Sequence, residues 1–232
     1  MSKRTIFRKT SGLTSGGSYS QLPINLCLDT SGSMRGHSIN ELNAGMRMFY
    51  DTVRNDSESR YVADISIVTF GCNGTQCIQD FAHVDERPTP PSLKAEGMTP
   101  MGEAVNLSLD MLDNRRNYYK GVGVSYYHPW LVLMTDGDPN GVKAELSRAI
   151  GRTRDLVNHN KLVVFPLAIG NQANVKTLAQ FSPKMRPVGL KGLNFKGFFE
   201  WLSMSVHEVS TSKPGDSVQL PKVDGSWGSI II

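Results

Sequence analysis

Apolar and polar positions along the chain follow two rhythms. Short runs rich in aliphatic and β-branched residues lie at 22–28, 61–70, 130–134 and 162–169. Each has the length and composition of a buried strand. Between them, apolar residues recur at steps of three and four. Ile39, Leu42, Met46, Phe49 and Val53 make one such stripe, and Met101, Ala104, Val105, Leu109 and Leu112 a second within 101–117. Val142, Leu146, Ala149, Ile150 and Val157 make a third, and Phe195, Phe198, Phe199, Leu202 and Val206 a fourth. These spacings predict amphipathic helices, with a shorter one over 174–181. Strands alternating with helices predict an α/β fold: a doubly wound, mostly parallel sheet with helices on both faces.

The connections refine this picture. A tight link at 71–75 joins the second strand to a short one at 76–81, which pairs back antiparallel. That gives one antiparallel edge strand. Pro88, Pro90 and Pro91 keep 82–98 a loop. Residues 117–128, with Tyr118, Tyr119, Tyr126 and Tyr127, read as a connection that packs on the domain, with a tyrosine-rich binding surface as the alternative. A last edge strand is expected at 184–188, guarded by Pro183 and Pro187. The organisation expected is a flexible basic arm at 1–20, one domain at 21–210 and a Pro/Gly/Ser-rich tail at 211–232. The tail ends Trp227-Gly228-Ser229-Ile230-Ile231-Ile232, too apolar to stay free. It is expected to fold back or engage a partner.

Charge changes the picture little. The chain has 232 residues and a formal net charge of +4, with 25 basic and 21 acidic residues. Lys3, Arg4, Arg8 and Lys9 precede the first acidic residue, Asp29; without those four, 21 basic residues face 21 acidic ones. A neutral body speaks against a nucleic-acid partner. No apolar run approaches the ~18 residues that span a bilayer, and no apolar segment follows the N-terminal basic residues. No membrane association and a cytoplasmic location are therefore expected. The three cysteines agree. Cys27 lies in the first strand, Cys72 and Cys77 flank an Asn73-Gly74 turn, and all are expected to be structural thiols. His83 is too little company for a zinc site.

The candidate chemistry sits where strands end. Asp29-Thr30-Ser31-Gly32-Ser33 closes the first strand and places one carboxylate and two hydroxyls at alternate positions. Thr99-Pro100 opens the second helix, with the proline suited to the first helical turn. Thr135-Asp136-Gly137-Asp138-Pro139 follows the apolar run at 130–134. Oxygen ligands at the carboxyl edge of a parallel sheet suit a hard cation such as Mg²⁺.

Together these three parts, D-x-S-x-S, T-P and T-D-G-x-P, resemble the metal-ion-dependent adhesion site of von Willebrand factor A domains, over about residues 20–210. The resemblance implies that Asp29, Ser31, Ser33, Thr99 and Asp136 hold Mg²⁺ or Mn²⁺. It implies direct contact by the hydroxyls and largely water-mediated contact by the aspartates. A cation so ligated keeps much of its charge and favours an Asp or Glu from a partner protein. Residues 129–139, Phe198-Phe199-Glu200-Trp201-Leu202-Ser203 and the tail ending in a tryptophan look like the bacterial TerY-type subgroup of tellurium-resistance and stress operons. That likeness implies a protein kinase or a PP2C-type phosphatase as neighbour or partner.

Enzyme readings fare worse. The chain has no G-x-x-x-x-G-K-[ST] and no G-x-S-x-G. A phosphotransferring Asp29 in the manner of haloacid dehalogenases calls for a second aspartate two residues on, where Ser31 stands. The expectation is a non-enzymatic interaction module; a metal-dependent phosphatase or hydrolase on the same loops is the alternative.

Overall fold

The computed structural model describes residues 19–71, 73–170, 172–223 and 225–230. The basic arm through residue 18, Cys72, Asn171, Asp224, Ile231 and Ile232 lie outside the described residues, and with them the expectations made for the arm and for Cys72.

Burial on both faces fixes the central strands. In β1 (Leu22–Thr30) every residue is buried, as in β2 (Ala63–Gly71) and β4 (Trp130–Thr135). Alternate side chains go to opposite faces of the sheet. Leu22, Ile24, Leu26 and Leu28 join Val132 and Met134 on one face, under α1 (His37–Asn55) and α6 (Phe195–Ser210). Cys27, Val68, Leu131 and Leu133 point the other way, toward α3 (Met101–Val122), α4 (Lys143–Asn158) and α5 (Val175–Phe181). The apolar stripes read from the sequence are the buried stripes of α1, α3 and α6. Burial also pushes the Cys27 thiol up to about 12, as suits a structural thiol.

With β3 (Gly74–His83), β5 (Val163–Ala168), β6 (Val188–Leu190) and β7 (Gly228–Ile230), the sheet runs β3-β2-β1-β4-β5-β6-β7. β1 pairs parallel with both β2 and β4. The strand order reverses there, and the crevice outside the carboxyl ends of β1 and β4 is the ligand position in such sheets. β3 pairs antiparallel with β2, as expected.

The structure corrects several boundaries. Tyr61 belongs to a short helix, α2 (Ser59–Val62), not to the second strand. Helix α3 runs to Val122 and absorbs the start of the tyrosine-rich connection; it stops at Gly123, whose φ of 70° a side chain would resist. Its added length has a reason. Arg115 Nε lies 2.5 Å from Asp64 Oδ2, and the Tyr119 hydroxyl donates to the same oxygen, so the last turns neutralise a wholly buried carboxylate. Val142 lies just before α4 and is exposed rather than part of its apolar stripe. The strand expected at 184–188 is β6, further on. It is not the edge, because the tail adds β7 antiparallel beyond it. Trp227 anchors that tail, its ring 5.6 Å from those of Phe198 and Trp201 of α6.

Candidate metal centre

The site is built on three loops at the carboxyl edge of β1 and β4. Asp29 is the penultimate residue of β1 and is fully buried. Its Oδ1 accepts the Ser31 N–H at 2.8 Å and its Oδ2 accepts the Thr135 hydroxyl at 2.6 Å. Burial pushes the Asp29 carboxyl up to about 6. The bonds from Ser31 and Thr135 oppose this, while the negative charge of Asp136 adds to it.

A 3-10 turn, Gly32–Met34, follows β1 and carries Ser33 forward. The Ser31 and Ser33 hydroxyls lie 3.0 Å apart, and the Ser33 hydroxyl donates to Asp136 Oδ1 at 2.7 Å. Asp136 is the first residue after β4; it is half-buried, and burial holds its carboxyl above the usual range. Four of the five expected ligands thus form one continuous chain of contacts.

Thr99 joins through its loop. Gly32 N–H donates to Gly97 O at 3.0 Å, and Glu96 N–H donates to Thr30 O at 2.8 Å. On the other side, Thr99 N–H donates to Asn140 Oδ1 at 2.6 Å and Asn140 N–H donates to Thr99 O at 3.1 Å. These bonds to Asn140 use the backbone of Thr99, so its hydroxyl is not spent on them. Thr99 is itself buried, two residues ahead of α3. A close packing of α3 on α4 holds that helix end in place. A Cβ on Gly102 would lie 2.4 Å from Leu146 N, so only glycine fits.

Three residues outside the expected set shape the site. Thr135 holds Asp29, and Asn140 clasps Thr99. Glu103 accepts the Val142 N–H at 2.8 Å, and a Cβ on Gly141 would lie 2.4 Å from its other oxygen. Thr135 stands in the quoted motif and was legible there; the roles of Asn140 and Glu103 exist only once the loops meet. Asp138 is held away, its Oδ1 accepting from Asn174 Nδ2 at 2.5 Å. His37 pairs on the surface with Glu41.

The expected donor set is all oxygen: two carboxylates and three hydroxyls. No group of three or more His, Cys, Asp or Glu residues suited to a metal occurs among the described residues. These residues therefore fit a hard divalent cation and not a thiolate- or imidazole-seeking one. Two carboxylates whose proton affinity is raised at one crevice are an arrangement that a cation relieves.

The fold is that of a von Willebrand factor A domain. A von Willebrand factor type A protein from Catenulispora acidiphila superposes with a TM-score of 0.61 at 16% identity, over 82% of this chain and 43% of that one. Proximal thread matrix protein 1 from the mussel byssus, with a zinc-occupied MIDAS motif, matches with a TM-score of 0.53 at 15% identity, over 82% of this chain and 48% of that one. Manganese-loaded TRAP protein of Plasmodium vivax matches with a TM-score of 0.51 at 20% identity, over 81% and 74%. This chain spans less than half the length of the first two. No protein-family model and no curated protein matches the sequence. Among the described residues, no helix is long and apolar enough to cross a membrane.

Proposed function

We propose that this chain is a metal-ion-dependent protein-interaction module, not an enzyme. The observation that carries the reading is the contact chain from Asp29 through Ser31 and Ser33 to Asp136, with Thr99 laced beside it. Asp29, Ser31, Ser33, Thr99 and Asp136 would hold Mg²⁺ or Mn²⁺, which when bound supplies a docking point for an Asp or Glu of a partner protein. Three of these five residues bring neutral hydroxyls, so a bound cation would keep attraction for an anion. Asp29, held at both oxygens by Ser31 and Thr135, keeps its orientation and does not swing out as a nucleophile. Zinc in one structural neighbour and manganese in another support a divalent ion on this fold. The setting we propose is a bacterial tellurite or stress-response system with a protein kinase or phosphatase as partner. It rests on the sequence resemblance.

Calorimetric titration with Mg²⁺, beside a p-nitrophenyl phosphate assay, tests this. Wild type is expected to bind one ion, Asp29→Ala none, and neither to hydrolyse phosphate. Hydrolysis that follows the metal and vanishes in Asp29→Ala would instead establish a phosphatase.

A further inference from the structure

A second site lies away from the crevice. Strands β5, β6 and β7, helix α6 and the returning tail line a pocket of about 450 Å³ that opens to solvent. Its apolar lining includes Phe165, Phe198, Trp201, Trp227, Leu220 and Ile230. This volume is that of a small-molecule pocket. The ring of Trp201 lies 5.5 Å from that of Phe165 and 6.0 Å from that of Phe198, so the aromatic wall is already packed against itself. The indole N–H of Trp201 is taken by Pro221 O at 2.7 Å. The wall therefore offers a ligand apolar contact and little hydrogen bonding.

The charges on the lining have one sign. They are Lys184 and Arg186, both exposed. Lys184 donates to the neutral Asn160 at 2.5 Å. Arg186 takes part in no ion pair among the described residues. An aromatic wall invites ammonium ligands through cation–π attraction, but two cations with no carboxylate partner among the described residues repel them. An apolar body with an anionic head answers both halves of the site. We propose that this cavity binds a free carboxylate with an acyl chain, its chain against Trp201, Trp227 and Leu220 and its head at Lys184 and Arg186.

Titration of the full chain with decanoate, kept below its micellar range, tests the proposal by tryptophan fluorescence and calorimetry. Decanol and decylammonium are the controls. Saturable decanoate binding is expected, with decylammonium at least about tenfold weaker. Lys184→Glu combined with Arg186→Glu should weaken decanoate by about tenfold or more and leave decanol unchanged. Leu220→Trp, which puts an indole into the space proposed for the chain, should weaken both; circular dichroism and a thermal melt report whether it stays folded. The charge-reversed pair carries the test if it does not. Absence of saturable binding, or decylammonium binding as tightly as decanoate, overturns the proposal. So does binding that emerges only when residues 231 and 232 are deleted, since the chain would then be filling its own cavity.

Discussion

The Thr135 hydroxyl sits 2.6 Å from Asp29 Oδ2, tying the end of β4 to the end of β1 beneath the candidate site. Both residues are fully buried, so neither oxygen has water as a substitute partner. Thr135→Val keeps the shape and removes the donor. It should cost about 1–3 kcal/mol, the usual penalty for stranding a buried polar group. It should also raise the Asp29 pKa further. Urea denaturation in EDTA checks the first point; a stability equal to wild type would show that the bond contributes nothing.

The raised Asp29 pKa fixes a pH dependence in metal-free buffer. Burial lifts the folded carboxyl to about 6, against 3.8 for a free aspartate side chain. The folded state therefore holds this proton more tightly than the unfolded chain does. The associated stability is fully present below the unfolded value and is lost as pH rises through about 6. The full difference is at most about 3 kcal/mol. Asp29→Asn removes the titration. Melts in EDTA across this range should show wild type losing more stability than Asp29→Asn as pH rises. Parallel curves would contradict the assignment. Protons and a cation compete for the same oxygens, so Mg²⁺ affinity of wild type should fall as pH drops through about 6.

Core and site answer to different forces. Leu133, fully buried in β4, packs against the α3 and α4 face. Leu133→Ala should cost ~2–5 kcal/mol by opening a cavity. Asp29→Ala removes a carboxylate that burial and Asp136 both disfavour, and should fold with or without Mg²⁺. Equal destabilisation of the two in metal-free melts would show that the site is part of the core.

How much of this was legible depended on how local each signal was. The stripes of α1 and α6 announce their own burial, because a helix carries its period within its own sequence. The candidate set was readable for the same reason: Asp29, Ser31 and Ser33 are neighbours in sequence, Thr99 stands just before Pro100, and Asp136 follows a strand. What escaped depends on contacts at long range. Tyr119 reads as a loop tyrosine until it meets Asp64, 55 residues away. Strand β7 exists because Trp227 docks on α6, and a three-residue strand has no period of its own. Asn140 is one of many loop asparagines until Thr99 arrives opposite it.

That clasp makes its own prediction. Asn140→Ala leaves every expected ligand in place but frees the Thr99 loop and strands a buried N–H. Mg²⁺ affinity should fall several-fold, with about 1–3 kcal/mol of stability lost. Asn140→Asp keeps the acceptor and should restore most of the stability. An Asn140→Ala variant with wild-type Mg²⁺ affinity would mean that Thr99 needs no such support.

Partner binding should depend on the metal more than on salt. A carboxylate that docks on a cation makes a short, partly dehydrated contact, which ionic strength screens weakly. Peptides selected from a random display library in Mg²⁺ should be enriched in Asp or Glu. EDTA and Thr99→Ala should each abolish their binding, and readmitted Mg²⁺ should restore it after chelation. Exchange of the acidic residue for its amide keeps the shape, loses the charge and should cost as much as chelation. The four basic residues of the first nine define the competing outcome. Were they the docking element for acidic peptides, moderate salt and deletion of the arm would abolish binding while EDTA left it intact. A titration at constant ionic strength separates the two, because the metal contact responds to EDTA alone and the arm does not. Unchanged peptide affinity after complete metal removal would rule out docking through Asp29, Ser31, Ser33, Thr99 and Asp136.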